Sequence, residues 1–116
     1  MVLDECIETP STEQRAREAA ARTLDWARRS QNYFQQHGDP AKQMLFGIVQ
    51  GGTSPQVRRE NADRLVEMNF PGYAIGGLAV GESQAITCEM TQVAAARLPQ
   101  DRPRYLMGVG LSLIHI

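Results

Sequence analysis

Apolar positions along the chain follow two signatures in turn: short uninterrupted runs, and longer stretches in which they return every three or four residues. Met1 to Asp4 is a short apolar run ending in an acid. From Ser11 to about Gln36, Ala16, Ala20, Leu24, Ala27 and Phe34 recur at helical spacing, and Ala19, Thr23, Trp26 and Tyr33 widen the stripe. Ser11-Thr12-Glu13-Gln14 offers a capping box, with the Ser11 hydroxyl serving the N3 amide and Gln14 reaching back. Gly38 and Pro40 end that helix.

Met44 to Val49 is too short for a helix and predicts a buried strand, broken by Gly51-Gly52-Thr53. Ser54 and Pro55 read as N-cap and first helical residue. Val57, Leu65, Val66 and Met68 carry the apolar side of that helix, which closes before Pro71-Gly72. Tyr73 to Gly81 predicts a third strand running into a glycine-rich turn. Ile86, Met90, Val93, Ala94 and Arg97 mark a helix that Pro99 ends, and Arg104 to Gly110 predicts a fourth strand.

The expected class is therefore α/β: about four parallel strands with three connecting helices and right-handed crossovers. A doubly wound sheet and a (β/α)8 barrel both fit this order. Four strands would leave two open edges and one poorly covered face, the mark of an incomplete fold. Residues 111–116, Leu-Ser-Leu-Ile-His-Ile, carry neither cap nor amphipathic period where a further helix should start. The same six letters arise from translating a common transposon-type sequencing adapter, so this stretch is expected to be a non-native tail on a domain spanning 1–110.

Composition narrows the class further. A length of 116 residues suits one small domain or a piece of a larger one. Twelve Lys and Arg against thirteen Asp and Glu give a formal charge of -1, which excludes a strongly basic nucleic-acid arm. No apolar run approaches the roughly 18 residues of a membrane span. Cys6 and Cys88 are far apart and lack metal-type spacing, so they are expected as buried small residues in a reduced, cytoplasmic chain. Arg15, Arg17, Arg22, Arg28 and Arg29 are expected to form a solvated helix face.

In parallel α/β folds the C-terminal strand ends and the loops after them form the binding face. Here those ends are Asp4-Glu5, Gln50-Gly51-Gly52, Gly76 to Glu82, and Met107 to Gly110. Together they supply carboxylates, one primary amide and bare backbone amides, with no Lys, His or Ser nucleophile. A carboxylate accepts paired N–H donors, while an amide and a backbone N–H donate to a carbonyl. That set matches a planar heterocycle such as the Watson–Crick edge of guanine and suits a phosphate poorly. Plainer readings stand beside it: Asp4 as a cap or surface acid, Gln50 and Gly51-Gly52 as turn builders, Gly76-Gly77 as tight packing, Met107 as core.

MVLDEC (1–6), LFGIVQGG (45–52), GYAIGGLAVGE (72–82) and RPRYLMGVG (102–110) closely resemble, in this order and spacing, tRNA-guanine transglycosylase, also called queuine tRNA-ribosyltransferase. The resemblance implies a partial (β/α)8 TIM barrel, roughly a third of a family member, with Met1 an internal methionine. It implies that Asp4 accepts from guanine N1–H and the exocyclic amine, that the Gln50 amide contacts O6, and that Gly77 supplies a backbone N–H to the same oxygen. By the same resemblance the Leu78 carbonyl reads the aminomethyl group of the incoming base. The Leu78-Ala79 peptide can turn over, with Glu82 behind it. Tyr105 and Met107 line the base pocket.

Asp4-Glu5-Cys6 and Val80 resemble bacterial enzymes, whose inserted base is the 7-deazaguanine preQ1. The implied reaction is exchange of an anticodon guanine by double displacement on tRNA, in queuosine biosynthesis. The family's nucleophilic aspartate and its Cys/His zinc ligands are expected downstream, and a second active-site aspartate and the stacking aromatic upstream. No catalytic or metal-ligating residue is therefore expected in this chain, and alone it is expected to be inactive. A homodimer is a family habit. The competing classes are a non-catalytic purine-binding α/β module or accessory subunit, and a phosphate-binding barrel fragment using the Gly51-Gly52 and Gly76-Gly77 amides.

Overall fold

The long apolar stripe folds as α1, Glu13–His37, and its small inner residues Ala16, Ala19, Ala20, Thr23 and Ala27 let it lie close to its neighbours. The computed structural model describes residues 1–109, so the tail expected at 111–116 falls outside it. Thr12, not Ser11, caps α1, its hydroxyl accepting from the Arg15 amide at 3.1 Å. Gln14 does not reach back; its amide donates to Glu18 one turn on. The capping box thus gives way to a simple Thr cap set one residue later.

Strand β1 is Phe46–Val49, followed by α2, Pro55–Glu67, whose N-cap Ser54 accepts from the Val57 amide as the Ser-Pro pair predicts. Strand β2 is Gly72–Ile75, α3 is Gln84–Ala95 with Ser83 as N-cap, and β3 is Arg104–Leu106. The strands are parallel and lie in the order β1-β2-β3, each beside its sequence neighbour. Helix α1 packs on α2 and α2 on α3, so the three helices form one layer on one face of the sheet.

Three strands are present among the described residues, not four. The Met1 to Asp4 segment forms no ladder: the Val2 amide donates to the Phe46 carbonyl at 3.0 Å, a single bond beside β1. Strand β2 leaves the sheet well before Gly81, because Gly77 takes φ +70°, a left-handed backbone that no strand continues through. Strand β3 likewise ends short of Gly108 at φ +83°.

The core lies between sheet and helices, where Val49, Ala62, Leu65, Phe70, Tyr73, Ile75, Met90, Ala94 and Leu98 are withdrawn from water. Each large apolar side chain buried there contributes about 2 kcal/mol. Tyr73 keeps its hydroxyl satisfied by accepting from the Phe70 amide at 3.1 Å. A Cβ on Gly47 would meet the Phe70 ring at 2.8 Å and Leu65 at 3.1 Å, which places Gly47 on the helix side. The alternation of the pleat then turns Phe46, Ile48 and Gln50 to the opposite face, together with Gly72, Ala74, Gly76 and, by register, Tyr105.

Candidate functional site

Strand β1 delivers Gln50 as its first residue past the ladder, and the N-terminal segment brings Asp4 alongside. Gln50 Nε2 donates to Asp4 Oδ2 at 2.7 Å, and Gln50 is almost wholly buried. Its position is fixed from behind. The Gln50 backbone N–H donates to Asn61 Oδ1 at 2.8 Å, and Asn61 Nδ2 donates to the Ala20 carbonyl at 3.1 Å, tying the end of β1 to α2 and α1.

Gly76 completes this corner by lacking a side chain. A Cβ there would stand 2.9 Å from Gln50 Nε2 and 3.5 Å from Asp4 Oδ2. At Gly77 a Cβ would collide with Gln50 Oε1. Asp4, Gln50, Gly76 and Gly77 are thus brought together. Tyr105 and Met107 reach the same face through β3: Tyr105 pairs with Ala74, and the Met107 amide donates to the Ile75 carbonyl at 3.0 Å. Tyr105 is exposed and Met107 half-buried. Leu78 sends its side chain into the core, and its carbonyl lies 3.5 Å from where a Cβ on Gly108 would stand.

The turn after Gly77 is built around Glu82. One carboxylate oxygen accepts from the Ala79 amide at 2.6 Å and the Thr87 hydroxyl at 2.6 Å, and the other accepts from the Val80 amide at 2.9 Å. Ala79 sits at φ +59°, a conformation that costs an alanine about 1–2 kcal/mol, and the Glu82 bonds offset it. Partial burial pushes the Glu82 carboxyl up, but the bonds from Thr87, Val80 and Ala79 outweigh this and hold it below the ordinary carboxylate value.

Arg58 went unnoticed in the sequence, yet it is a fully buried side chain just behind the glycine loops. Nε donates to the Gly52 carbonyl at 2.7 Å and Nη2 to the Gly77 carbonyl at 3.1 Å. Burial pushes its pKa down to about 10, while the nearby Glu82 and Cys6 charges pull the other way. Arg58, Asn61, Ala62 and Leu65 follow the i, i+3, i+4, i+7 rule, so the inner stripe of α2 was legible had polar members been admitted to it. Thr87 likewise lies on the buried stripe of α3 with Met90 and Ala94.

The expectation for the cysteines is corrected. Cys6 and Cys88 are exposed. Cys88 is next to buried Thr87 on α3 and therefore turned off the inner stripe, and Cys6 lies in the N-terminal loop. Desolvation and the Asp4 charge push the Cys6 thiol up, so it is no ready thiolate. The α1 arginines stay at the surface, and three of them pair with acids there. Arg15 and Arg22 both hold Glu5, at 2.8 and 2.6 Å, and Arg17 pairs with Glu60 at 2.8 Å across to α2. The Arg15 bond is the main cause holding the Glu5 carboxyl below its ordinary value.

Fold and strand ends together define a parallel α/β unit, wound in one direction, with an acid, a buried amide and two side-chain-free glycines gathered where β1 and β2 end. The family described as queuine tRNA-ribosyltransferase matches residues 1–114, and the chain belongs to that family. It is 52% identical over 110 residues to the queuine tRNA-ribosyltransferase of Caulobacter vibrioides, covering 95% of this chain and 29% of that protein. The counterpart from Acetivibrio thermocellus is 50% identical over 110 residues, with the same two shares. That from Koribacter versatilis is 45% identical over 119 residues, covering 95% of this chain and 31% of that protein. The chain therefore spans about three-tenths of the length of these relatives.

Proposed function

We propose that this chain is the base-reading segment of a bacterial-type tRNA-guanine transglycosylase, the part that distinguishes guanine and preQ1 during exchange at the tRNA anticodon. The single observation that carries the reading is the Asp4–Gln50 pair seated against Gly76 and Gly77. Asp4 accepts from the purine N1–H and exocyclic amine, and the Gln50 amide and the Gly77 N–H donate to O6. The Leu78 carbonyl faces the aminomethyl group of preQ1, with the Ala79 and Val80 amides held back by Glu82. Tyr105 and Met107 line the flat faces of the base.

In this account the reaction is a double displacement at the ribose anomeric carbon, in the manner of a retaining glycosidase. The attacking carboxylate belongs to a part of the protein beyond this segment. What the segment supplies is stabilisation of charge building on the departing base, where an aimed donor such as the Gly77 amide contributes about 3 kcal/mol. It also recovers part of the few kcal/mol needed to draw the target base out of its stack.

The sequential strand order and the one-sided helix layer support a wedge of a (β/α)8 barrel, whose interior is the face bearing Ile48, Gln50, Gly76 and Tyr105. The whole protein would act on tRNA in the cytoplasm as a homodimer. No described helix is long and apolar enough to cross a membrane. Zinc is a family expectation that the residues present do not fit: among the described residues no group of three or more His, Cys, Asp or Glu side chains could hold a metal ion.

The test is a side-by-side assay of radiolabelled guanine exchange into tRNA. One sample is the 116-residue chain. The other is a full-length family member carrying residues 1–110 as its matching segment, called here the carrier. The carrier is expected to exchange and the chain alone to be silent. An inert carrier from an active parent, or an active chain, would contradict the proposal.

A further inference from the structure

Among the described residues Arg58 is the largest side chain wholly withdrawn from solvent, and no step of the proposed reaction uses it. A buried guanidinium is costly unless its donors are met. Nε and Nη2 are met by the Gly52 and Gly77 carbonyls, whereas Nη1 has no partner among the described residues. An apolar side chain of similar volume would fill the same space without a stranded donor, so packing is not what the arginine adds.

What it adds is a bridge. Gly52 and Gly77 lie in the loops that follow β1 and β2, and one rigid planar fork spans both carbonyls. Gly77 sits at φ +70°, where a glycine is otherwise free to move, and the bond to its carbonyl fixes the peptide plane that leads into Leu78. Three residues of turn later, Glu82 holds the Ala79 and Val80 amides. The Leu78 backbone therefore runs between a cationic anchor behind it and an anionic anchor ahead.

We propose that Arg58 is a positioning residue for base recognition: bridging the Gly52 and Gly77 carbonyls, it holds the Gly76-Gly77-Leu78 backbone where it meets the purine beside Gln50. The inference rests on the purine-reading role given above to Asp4, Gln50 and Gly77. It assigns the effect to the fork and not to the charge. Lysine keeps the charge but presents no planar fork, and methionine keeps only bulk.

The experiment measures kcat and the KM values for free guanine and for tRNA in the carrier, with Arg58→Lys, Arg58→Met and Asp4→Asn. Both Arg58 variants are expected to raise KM for guanine about tenfold, the effect of losing the charge-assisted bond that holds the Gly77 carbonyl, with KM for tRNA unchanged within about twofold. A merely structural role would lower the active fraction, and so kcat, without moving KM for guanine. Unchanged KM for guanine in both Arg58 variants, beside a raised value in Asp4→Asn, overturns the inference and leaves the base site standing. Full rescue by lysine also overturns it, since charge would then suffice. An unchanged value in Asp4→Asn as well overturns the base-site reading and the inference with it. Should the Arg58 variants fail to fold, the unsubstituted carrier with isotopically labelled arginine decides: guanine is expected to shift the Arg58 Nε–H resonance, and an unmoved resonance overturns the role.

Discussion

Gln50 Nε2 donates to Asp4 Oδ2 at 2.7 Å across 46 residues of sequence, so the two side chains assigned to the purine edge hold each other in place without it. Confinement of both groups to this corner lowers part of the ordering cost of binding, and the bond between them must be given up in return. The base would exchange this bond for its own, with the acid turning to the N1–H side and the amide to O6.

Asp4→Asn tests that exchange. Asparagine fills the same space but can set an N–H against the purine N1–H, leaving a donor facing a donor. In the carrier, kcat/KM for guanine is expected to fall about a hundredfold, in line with losing a charge-assisted pair at a buried polar site. Steady-state exchange kinetics measure it, and unchanged turnover would contradict the role given to Asp4.

Gly76→Ala tests the close approach of backbone to the pair. The new Cβ would lie 2.9 Å from both Gln50 Nε2 and Ile48 Cγ2. Both neighbours are buried, so the backbone and side chains around the new Cβ must shift, and any shift of Gln50 loosens its bond to Asp4. Overpacking of this kind costs about 1–3 kcal/mol, and a raised KM for guanine is expected to accompany the lower melting temperature. A variant with parental stability and parental KM would show that the corner has room the geometry denies.

Asn61→Ala separates support from contact. It strands the buried Gln50 amide and the Ala20 carbonyl together, at an expected cost of about 1–3 kcal/mol. Asn61→Asp keeps the acceptor for the Gln50 backbone N–H but sets a carboxylate oxygen against the Ala20 carbonyl in a buried site, so it should cost no less. Urea unfolding of the carrier reads both, and a change below about 0.5 kcal/mol in Asn61→Ala would place it among ordinary surface substitutions instead.

The sequence made some of this plain and hid the rest for physical reasons. Ser54 announces its helix because a cap is a local interaction, complete within one turn. The segment 1–4 is apolar without being a strand: an apolar run says that a segment is buried, and Val2 is, but a ladder needs a partner edge that supplies more than the one Phe46 carbonyl. The Asp4, Gln50 and Gly77 corner could be anticipated from the strand-end rule together with the family resemblance. Arg58 and Asn61 could not be read from apolar spacing, because a buried polar residue looks like solvent-facing sequence until its partners on other elements are known. Those partners, Gly52, Gly77, Gln50 and Ala20, are distributed over two loops, a strand end and a helix.

Glu82 gives the fold a pH dependence of known sign. Its carboxyl is held below the ordinary value of 4.5, so the Ala79–Val80 turn keeps the full contribution of the charged form above that pH. As pH falls through the lower folded-state value the contribution is lost. An NMR titration of the Glu82 carboxyl carbon is expected to show a midpoint below 4.5, and Glu82→Gln to remove that part of the acid dependence. A midpoint at or above the ordinary value would mean that the three bonds to the carboxylate do not form in solution.

The crystal structure of the carrier soaked with preQ1 puts the central claim to its most direct test. The base is expected to lie against Gly76 and Gly77 with an Asp4 oxygen on its N1–H, the Gln50 amide on O6 and the Asp4–Gln50 bond exchanged for those contacts. A base bound elsewhere on the molecule, with Gln50 Nε2 still donating to Asp4, would contradict it.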